Sequence, residues 1–187
     1  MILIIDNYDS FTYNIYQYVG QFSSNLKVIK NDEASIKELE KLQIEKIIIS
    51  PGPGHPKDSK ISLDCIQTLG QKIPILGICL GHQVIGISFN SKIINSNKVM
   101  HGKTSMIHHN DCELFQGVNS PFEATRYHSL IIEKQSLSND LEIIAQCDNN
   151  IIMGVKHKEK LIYGVQFHPE SIKTENGLKI IKNFLAL

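Results

Sequence analysis

No charge of either sign dominates this chain: Lys plus Arg and Asp plus Glu each number 19, and the formal net charge is zero. Proteins that bind nucleic acid neutralise many phosphates and ordinarily carry a basic excess. The balance here argues against a nucleic-acid partner, and it leaves little long-range repulsion toward a protein partner. Cysteines are few. Cys65, Cys79, Cys112 and Cys147 include no C-x-x-C pair, and in a chain of 187 residues they do not form a disulfide framework, so a reducing compartment is expected. No apolar run approaches the ~18 residues of a membrane span. The opening Met1-Ile2-Leu3-Ile4-Ile5-Asp6 lacks a basic flank and its apolar run stops at once, which reads as a buried strand rather than a secretion signal. Internal repeats, low-complexity tracts and linkers are also missing.

What is present is an ordinary globular composition, 42% hydrophobic and 20% charged, long enough for one domain over residues 1–187 with a core of its own. In the first half, strand-length apolar runs alternate with helical spacing. Ile2–Ile5, Leu26–Ile29, Lys46–Ser50 and Ile75–Ile78 are expected as strands. Phe11, Ile15, Tyr18, Val19 and Phe22 mark a helix with Ser10 as N-cap. Ser35 and Glu38 form a capping-box pattern, and further helices are expected over Ile61–Leu69 and Gly81–Phe89. This order predicts an α/β fold with an open, mostly parallel sheet and helices on both faces. In the second half, Val99–His109, Glu123–Tyr127, Leu141–Cys147, Ile151–Lys156 and Leu161–Gln166 read as strands. Turn signals such as Cys147-Asp148-Asn149-Asn150 separate them, so an antiparallel β extension is expected. Leu178, Ile181, Phe184 and Leu185 share one face of a last helix.

Three segments carry candidate chemistry. Gly77-Ile78-Cys79-Leu80-Gly81 follows a predicted strand and opens a predicted helix, the nucleophile-elbow pattern G-x-S-x-G with Cys in the Ser position. The helix N-terminus aimed at the sulfur favours thiolate, although a cysteine at a strand end can also be plain core. Gln166-Phe167-His168-Pro169-Glu170-Ser171 lies just past another apolar strand, where open α/β sheets place ligands. In an extended stretch His168 and Glu170 face the same side, so the acid can hold one imidazole nitrogen while the other faces a thiol. Taken alone, H-P-E also fits a surface turn. Ser50-Pro51-Gly52-Pro53-Gly54-His55-Pro56 is a stiff loop whose backbone N–H groups could hold an oxyanion, or simply a tight loop. An α/β-hydrolase would share the elbow, but its acid lies upstream of its His, whereas Glu170 follows His168. His108-His109 tempts a metal reading, yet adjacent residues on a strand face opposite ways and no second cluster has ligand spacing; no metal or cofactor is expected.

These stretches, with Asp6–Thr12, Val99–Thr104 and Arg126–Leu130, resemble triad-type class I glutamine amidotransferases, which share a flavodoxin-like fold. More narrowly they resemble the small glutaminase subunit shared by anthranilate synthase and aminodeoxychorismate synthase. The resemblance runs the length of the chain in family order. It implies that Cys79 attacks the side-chain amide of L-glutamine to form a glutamyl thioester, that His168 is its base and that Glu170 orients the base. The N–H groups of Gly52 and Leu80 resemble the family's oxyanion hole. Gly54, Gln83, Ser129 and Leu130 match positions that hold the substrate, Ser129 through its backbone. The implied partner is a chorismate-binding synthase subunit (component I) on a separate chain, reached through Asp6–Thr12 and the Met100–Lys103 loop. The Lys98–Ser105 and Ile152–His157 stretches look most like the aminodeoxychorismate-synthase version, without excluding anthranilate synthase. A γ-glutamyl peptidase built on the same triad is the alternative activity. The richness in Ile, Asn and Lys hints at an AT-rich genome, so the expected location is cytoplasmic, or the plastid stroma for an organelle-encoded chain.

Overall fold

The computed structural model describes residues 1–96, 99–147 and 150–187. Its first half alternates β1 (Ile2–Asp6), α1 (Thr12–Gly20), β2 (Leu26–Lys30), α2 (Ile36–Leu39), β3 (Lys46–Ile49), α3 (Ile61–Thr68), β4 (Ile75–Ile78) and α4 (Leu80–Ser88). Then come β5 (Ile93–Asn95), β6 (Lys103–His109), β7 (Phe122–Arg126), β8 (Leu130–Ile132), β9 (Leu141–Cys147), β10 (Ile151–His157), β11 (Ile162–Val165) and α5 (Gly177–Ala186). Nine strands join one sheet in the order β2-β1-β3-β4-β11-β10-β9-β6-β7. The pairs from β2 through to β11 are parallel, and those from β11 to β7 are antiparallel. The expected parallel sheet with an antiparallel extension is therefore present as one mixed sheet, four pairings of each kind, and β11 is the seam between the two halves.

The continuous apolar runs are explained by burial on both faces. Along β1, Ile2 and Ile4 join an apolar layer with Ile15 and Val19 of α1 and Ile180, Ile181 and Phe184 of α5. Leu3 and Ile5 point the other way, into a layer with Leu39 of α2, Ile66 of α3 and Ile85 of α4. With a side-chain period of two, β1, β3, β4 and β11 each feed both layers.

Several expectations change in detail. Ser10 does not cap α1: Phe11 occupies the cap position, and its N–H donates to Asp9 Oδ2 at 2.7 Å. Asp6 Oδ1 in turn accepts from the Asp9 N–H at 3.0 Å and from Thr12 Oγ1 at 2.7 Å. The Ser35–Glu38 box does form, with Glu38 Oε2 accepting from the Ser35 N–H at 2.8 Å and from its hydroxyl at 2.7 Å. The strand expected from Val99 begins only at Lys103; Met100 instead donates its N–H to His128 O at 3.0 Å. The β5–β8 ribbon was not foreseen. Asp148 and Asn149 of the expected turn, and Lys98 of the Lys98–Ser105 stretch, lie outside the described residues. Among the described residues no helix is long and apolar enough to cross a membrane.

His82, on α4, is fully buried against Gly164 of β11, and among the described residues neither of its ring nitrogens closes a hydrogen bond. Burial, weakly opposed by the Gly164 backbone, pushes its pKa from the ordinary 6.5 down to about 4. The unfolded chain binds this proton between those values and the folded chain does not, so stability rises with pH across that window. The contribution, on the order of 3 kcal/mol for a shift of this size, is complete above pH 6.5 and is lost as pH falls through about 4. Replacing His82 with Asn should flatten the dependence of unfolding free energy on pH between 6.5 and 4, measured by denaturant titration. An unchanged slope would show that His82 is not the group responsible.

Candidate active site

Four adjacent parallel strands deliver the candidate residues at their carboxyl ends: β1 leads to Asn7, β3 to Ser50–Pro56, β4 to Cys79 and β11 to His168. Open α/β sheets gather ligand-binding groups at this edge. Cys79 sits between β4 and α4 at φ 52° and ψ −98°. For a side-chain-bearing residue this is sparsely populated backbone, costing about 1–3 kcal/mol. The flanking glycines make room for it. A Cβ on Gly77 would lie 2.4 Å from the Gly81 backbone, and one on Gly81 would lie 2.5 Å from Ile49 O. The Cys79 N–H donates to Val165 O at 2.8 Å, which ties the elbow directly to β11.

His168 and Glu170 meet as expected, by a different route. The chain turns here instead of staying extended, with the Ser171 N–H donating to His168 O at 3.2 Å. The turn brings Glu170 Oε1 to 2.6 Å from His168 Nδ1, both side chains being buried. Thr174 Oγ1 donates to His168 O at 2.6 Å, and the His168 N–H donates to Thr125 O at 3.0 Å, so both sides of the turn are anchored. Gly177, at the start of α5, packs against it so closely that a Cβ there would lie 1.9 Å from Pro169 O. His168 Nε2 has no closed hydrogen bond among the described residues. Burial pulls the His168 pKa down, but Cys79, through its charge and its hydrogen-bonding sulfur, and Glu170 outweigh that and hold it well above the ordinary 6.5. A base tethered at one nitrogen, facing a cysteine with the other, is the arrangement that activates a nucleophile.

Gly52, Gly54, Leu80, Gln83, Ser129 and Leu130 all line one cavity with Cys79, about 180 Å³ in volume and closed further by Pro53, Tyr127 and His128. It is smaller than the ~300–1,000 Å³ of drug-sized sites, which suits a ligand of amino-acid size. Gly52 fits because it lacks a Cβ: one there would meet Asn7 Cβ and O at 2.6 Å and Leu80 Cδ2 at 2.9 Å. Among the described residues neither the Gly52 nor the Leu80 N–H is drawn into a turn or loop hydrogen bond. His108 and His109 gather no metal cluster among the described residues; the His109 ring reaches Asn110 O and Asn119 O and stacks on Phe115.

Sequence reasoning missed several supporting groups. Asn7 braces the Ser50 end of the glycine loop, donating its N–H to Ser50 Oγ at 2.9 Å and its amide to Ser50 O at 3.0 Å. Tyr127 and Phe11 set ring edges against the His168 imidazole, with centroids 5.1 Å and 5.8 Å away. Arg126 donates Nε–H to His128 Nε2 at 3.0 Å and Nη1–H to Ser105 Oγ at 2.9 Å. Burial first, and then the Arg126 charge, drive the His128 pKa down to about 3, so its imidazole is neutral. Gln83 donates Nε2–H to Leu130 O at 2.9 Å and to Gln166 Oε1 at 3.1 Å. Only the hydrophilic Gln166 at the end of an apolar strand offered a signal for this network.

A cysteine on an elbow, a carboxylate-tethered histidine from the neighbouring strand and a glycine loop stand together beside a small cavity at the carboxyl edge of a flavodoxin-like sheet. The family model of class I glutamine amidotransferases matches residues 3–187, and the chain belongs to that family. It is 54% identical over 186 residues to anthranilate synthase component 2 of Porphyra purpurea, covering 99% of this chain and 98% of that one. It is 46% identical to aminodeoxychorismate synthase component 2 of Escherichia coli K12, covering 99% of each chain. A match at 52% identity to the bifunctional protein TrpGD of Thermotoga maritima covers 100% of this chain but 32% of that protein, so the chain spans about a third of it. A crystal structure of a candidate GMP synthase protein from Thermoplasma acidophilum superposes with a TM-score of 0.84 at 25% identity, covering 99% of this chain and 92% of that one.

Two experiments probe this geometry. Burial pushes the Cys65 thiol up to about 12 and raises Cys112, so neither is a ready nucleophile near neutral pH. Iodoacetamide is expected to label Cys79 first, with L-glutamine protecting it, as read by peptide mass mapping; equal labelling of all four thiols would exclude Cys79 as the reactive one. Gly177→Ala should displace the His168–Glu170 turn, lowering thermal stability by about 1–3 kcal/mol through overpacking and glutamine turnover with it. Unchanged turnover would show that the turn does not depend on that contact.

Proposed function

We propose that Cys79, His168 and Glu170 form the catalytic triad of a glutaminase that supplies ammonia to a synthase subunit. The observation that carries this reading is the pairing of His168 Nδ1 with Glu170 at 2.6 Å, which leaves Nε2 to face Cys79. L-Glutamine enters the cavity lined by Gly52, Gly54, Leu80, Gln83, Ser129 and Leu130. The thiol proton passes to His168, and the sulfur attacks the side-chain amide carbon. The tetrahedral oxyanion accepts from the N–H groups of Gly52 and Leu80, donors of the kind worth ~10²–10³ in rate each. His168 gives its proton to the amide nitrogen, the C–N bond breaks and ammonia leaves a glutamyl thioester. Water then attacks the thioester with His168 as base, a second oxyanion collapses, and glutamate departs as the thiol reforms. Glu170 keeps the Nδ1 proton in place and offsets the charge of the imidazolium. No step calls on a metal or cofactor.

The relatives named as component 2 support a partner on a separate chain, component I of a chorismate-using synthase, over the γ-glutamyl peptidase alternative. Anthranilate synthase and aminodeoxychorismate synthase both fit, and the higher identity to the former makes it the first to test. Exposed apolar side chains in segments beside the site, Tyr8, Val99 and Ile172, suit docking around its mouth. Residues 1–187 act as one glutaminase unit, in the cytoplasm or the plastid stroma, where cysteine thiols stay reduced.

Titrating the isolated chain with the synthase subunit, with and without chorismate, and measuring glutamate tests this. The expected result is slow hydrolysis alone and faster hydrolysis in the complex with chorismate. Cys79→Ser should abolish glutamine-dependent product while the complex still uses free ammonia. Full activity of the isolated chain, indifferent to the synthase, would refute the coupling, and loss of the ammonia-dependent activity would make Cys79 structural.

A further inference from the structure

Gln166 is completely buried at the end of β11, two residues before His168. Its carboxamide lies between Gln83 and the sulfur: Oε1 accepts from Gln83 Nε2 at 3.1 Å, and Nε2 stands 3.6 Å from Cys79 Sγ. Which end of a carboxamide faces which neighbour is settled by the partners it must satisfy. Here the partners leave one answer. Leu130 O is a carbonyl and can only accept, so the end of Gln83 lying 2.9 Å from it is the amino group. That same amino group faces Gln166, which must therefore present its oxygen to Gln83 and its N–H to the sulfur. The other side of Leu130 O is fixed in the same sense. Arg126 can only donate, so His128 Nε2 accepts its proton at 3.0 Å, and His128 Nδ1–H lies 3.1 Å from Leu130 O as a second donor.

We propose that Gln166 belongs to the reaction centre as a fixed N–H donor to Cys79 Sγ, stabilising the thiolate before attack and aiming it into the cavity. This rests on Cys79 being the nucleophile. The donor is neutral and cannot lose its proton, so it holds the sulfur without competing with His168 for the proton of the reaction. A donor to a charged sulfur in a dry site contributes more than one to a neutral thiol, so the contact favours ionisation. It also gives Gln83 a second task. The Gln83 amino group is committed to Leu130 O and Gln166, and its Oε1 is what remains for a substrate.

The test is the pH dependence of iodoacetamide alkylation at Cys79 in the full chain. Gln166→Met keeps the bulk and removes the donor. It should move the alkylation midpoint upward and slow labelling at neutral pH by about tenfold, while leaving the high-pH plateau unchanged. A merely structural role would lower the plateau or leave the midpoint alone. Gln166→Glu, of equal size and still able to accept from Gln83, places a negative charge at the sulfur and should raise the midpoint further. It supplies the reading if Gln166→Met fails to fold. A midpoint unchanged in a folded variant overturns the Gln166 proposal alone. Wild-type labelling that is neither selective for Cys79 nor blocked by glutamine overturns the nucleophile assignment, and Gln166's role with it.

Discussion

The site depends on a close approach of backbone to backbone at the β4–α4 elbow. Gly77 lies against Gly81, and Gly81 against Ile49 O, so closely that a methyl group at either would drive the helix off the sheet. That approach holds Cys79 in its unfavourable backbone conformation at the tip and directs the first turn of α4, with the Leu80 N–H and the Gln83 side chain, toward the neighbouring strand ends. The strain of the elbow is local. The compensation is spread over two apolar layers, because β3, β4 and β11 are buried on both faces and cannot yield without opening both.

A second constraint follows from the strand order. Cys79 and His168 come from segments more than eighty residues apart in sequence, yet β4 and β11 are neighbours in the sheet, and the Cys79 N–H is bonded to Val165 O. Their separation is thus set by a ladder spacing and not by a loop. The glycine loop after β3 is held at its Ser50 end by Asn7, while among the described residues its Gly52 N–H is drawn into no turn or loop hydrogen bond. In the proposed function, a partner that presses on this loop would govern turnover without moving Cys79, His168 or Glu170.

The parallel half and the elbow were legible because their signals are local. Strand-length Ile runs, the Ser35–Glu38 box and G-x-C-x-G each state their structure within a few residues. His168 with Glu170 was legible as a pair but not as a turn, because the contacts that bend it come from Thr125, Thr174 and Gly177, on three other segments. The β5–β8 ribbon was missed for a related reason. Three-residue strands that are partly exposed have no alternation to read, and their pairing is decided by neighbours far along the chain. Asp9 displaced Ser10 at the start of α1 because Asp6 holds the Asp9 backbone in place, a tertiary preference that a capping pattern does not contain. Gln166 stands two residues before His168, yet its contacts were hidden, since its partners, Gln83 and Cys79, lie outside its own strand.

The imidazoles of His82, His128 and His168 are all buried, and they are kept in different states. Burial holds His82 and His128 neutral, down to about 4 and about 3, while Cys79 and Glu170 hold His168 well above the ordinary value. In the proposed mechanism, proton traffic at the site therefore has a single station. A proton arriving on His128 would set two donors against each other at Arg126 Nε and undo the alignment that runs on to the sulfur. With the neighbouring rings closed to protons at neutral pH, the proton that leaves with ammonia in the proposed reaction comes from His168 alone.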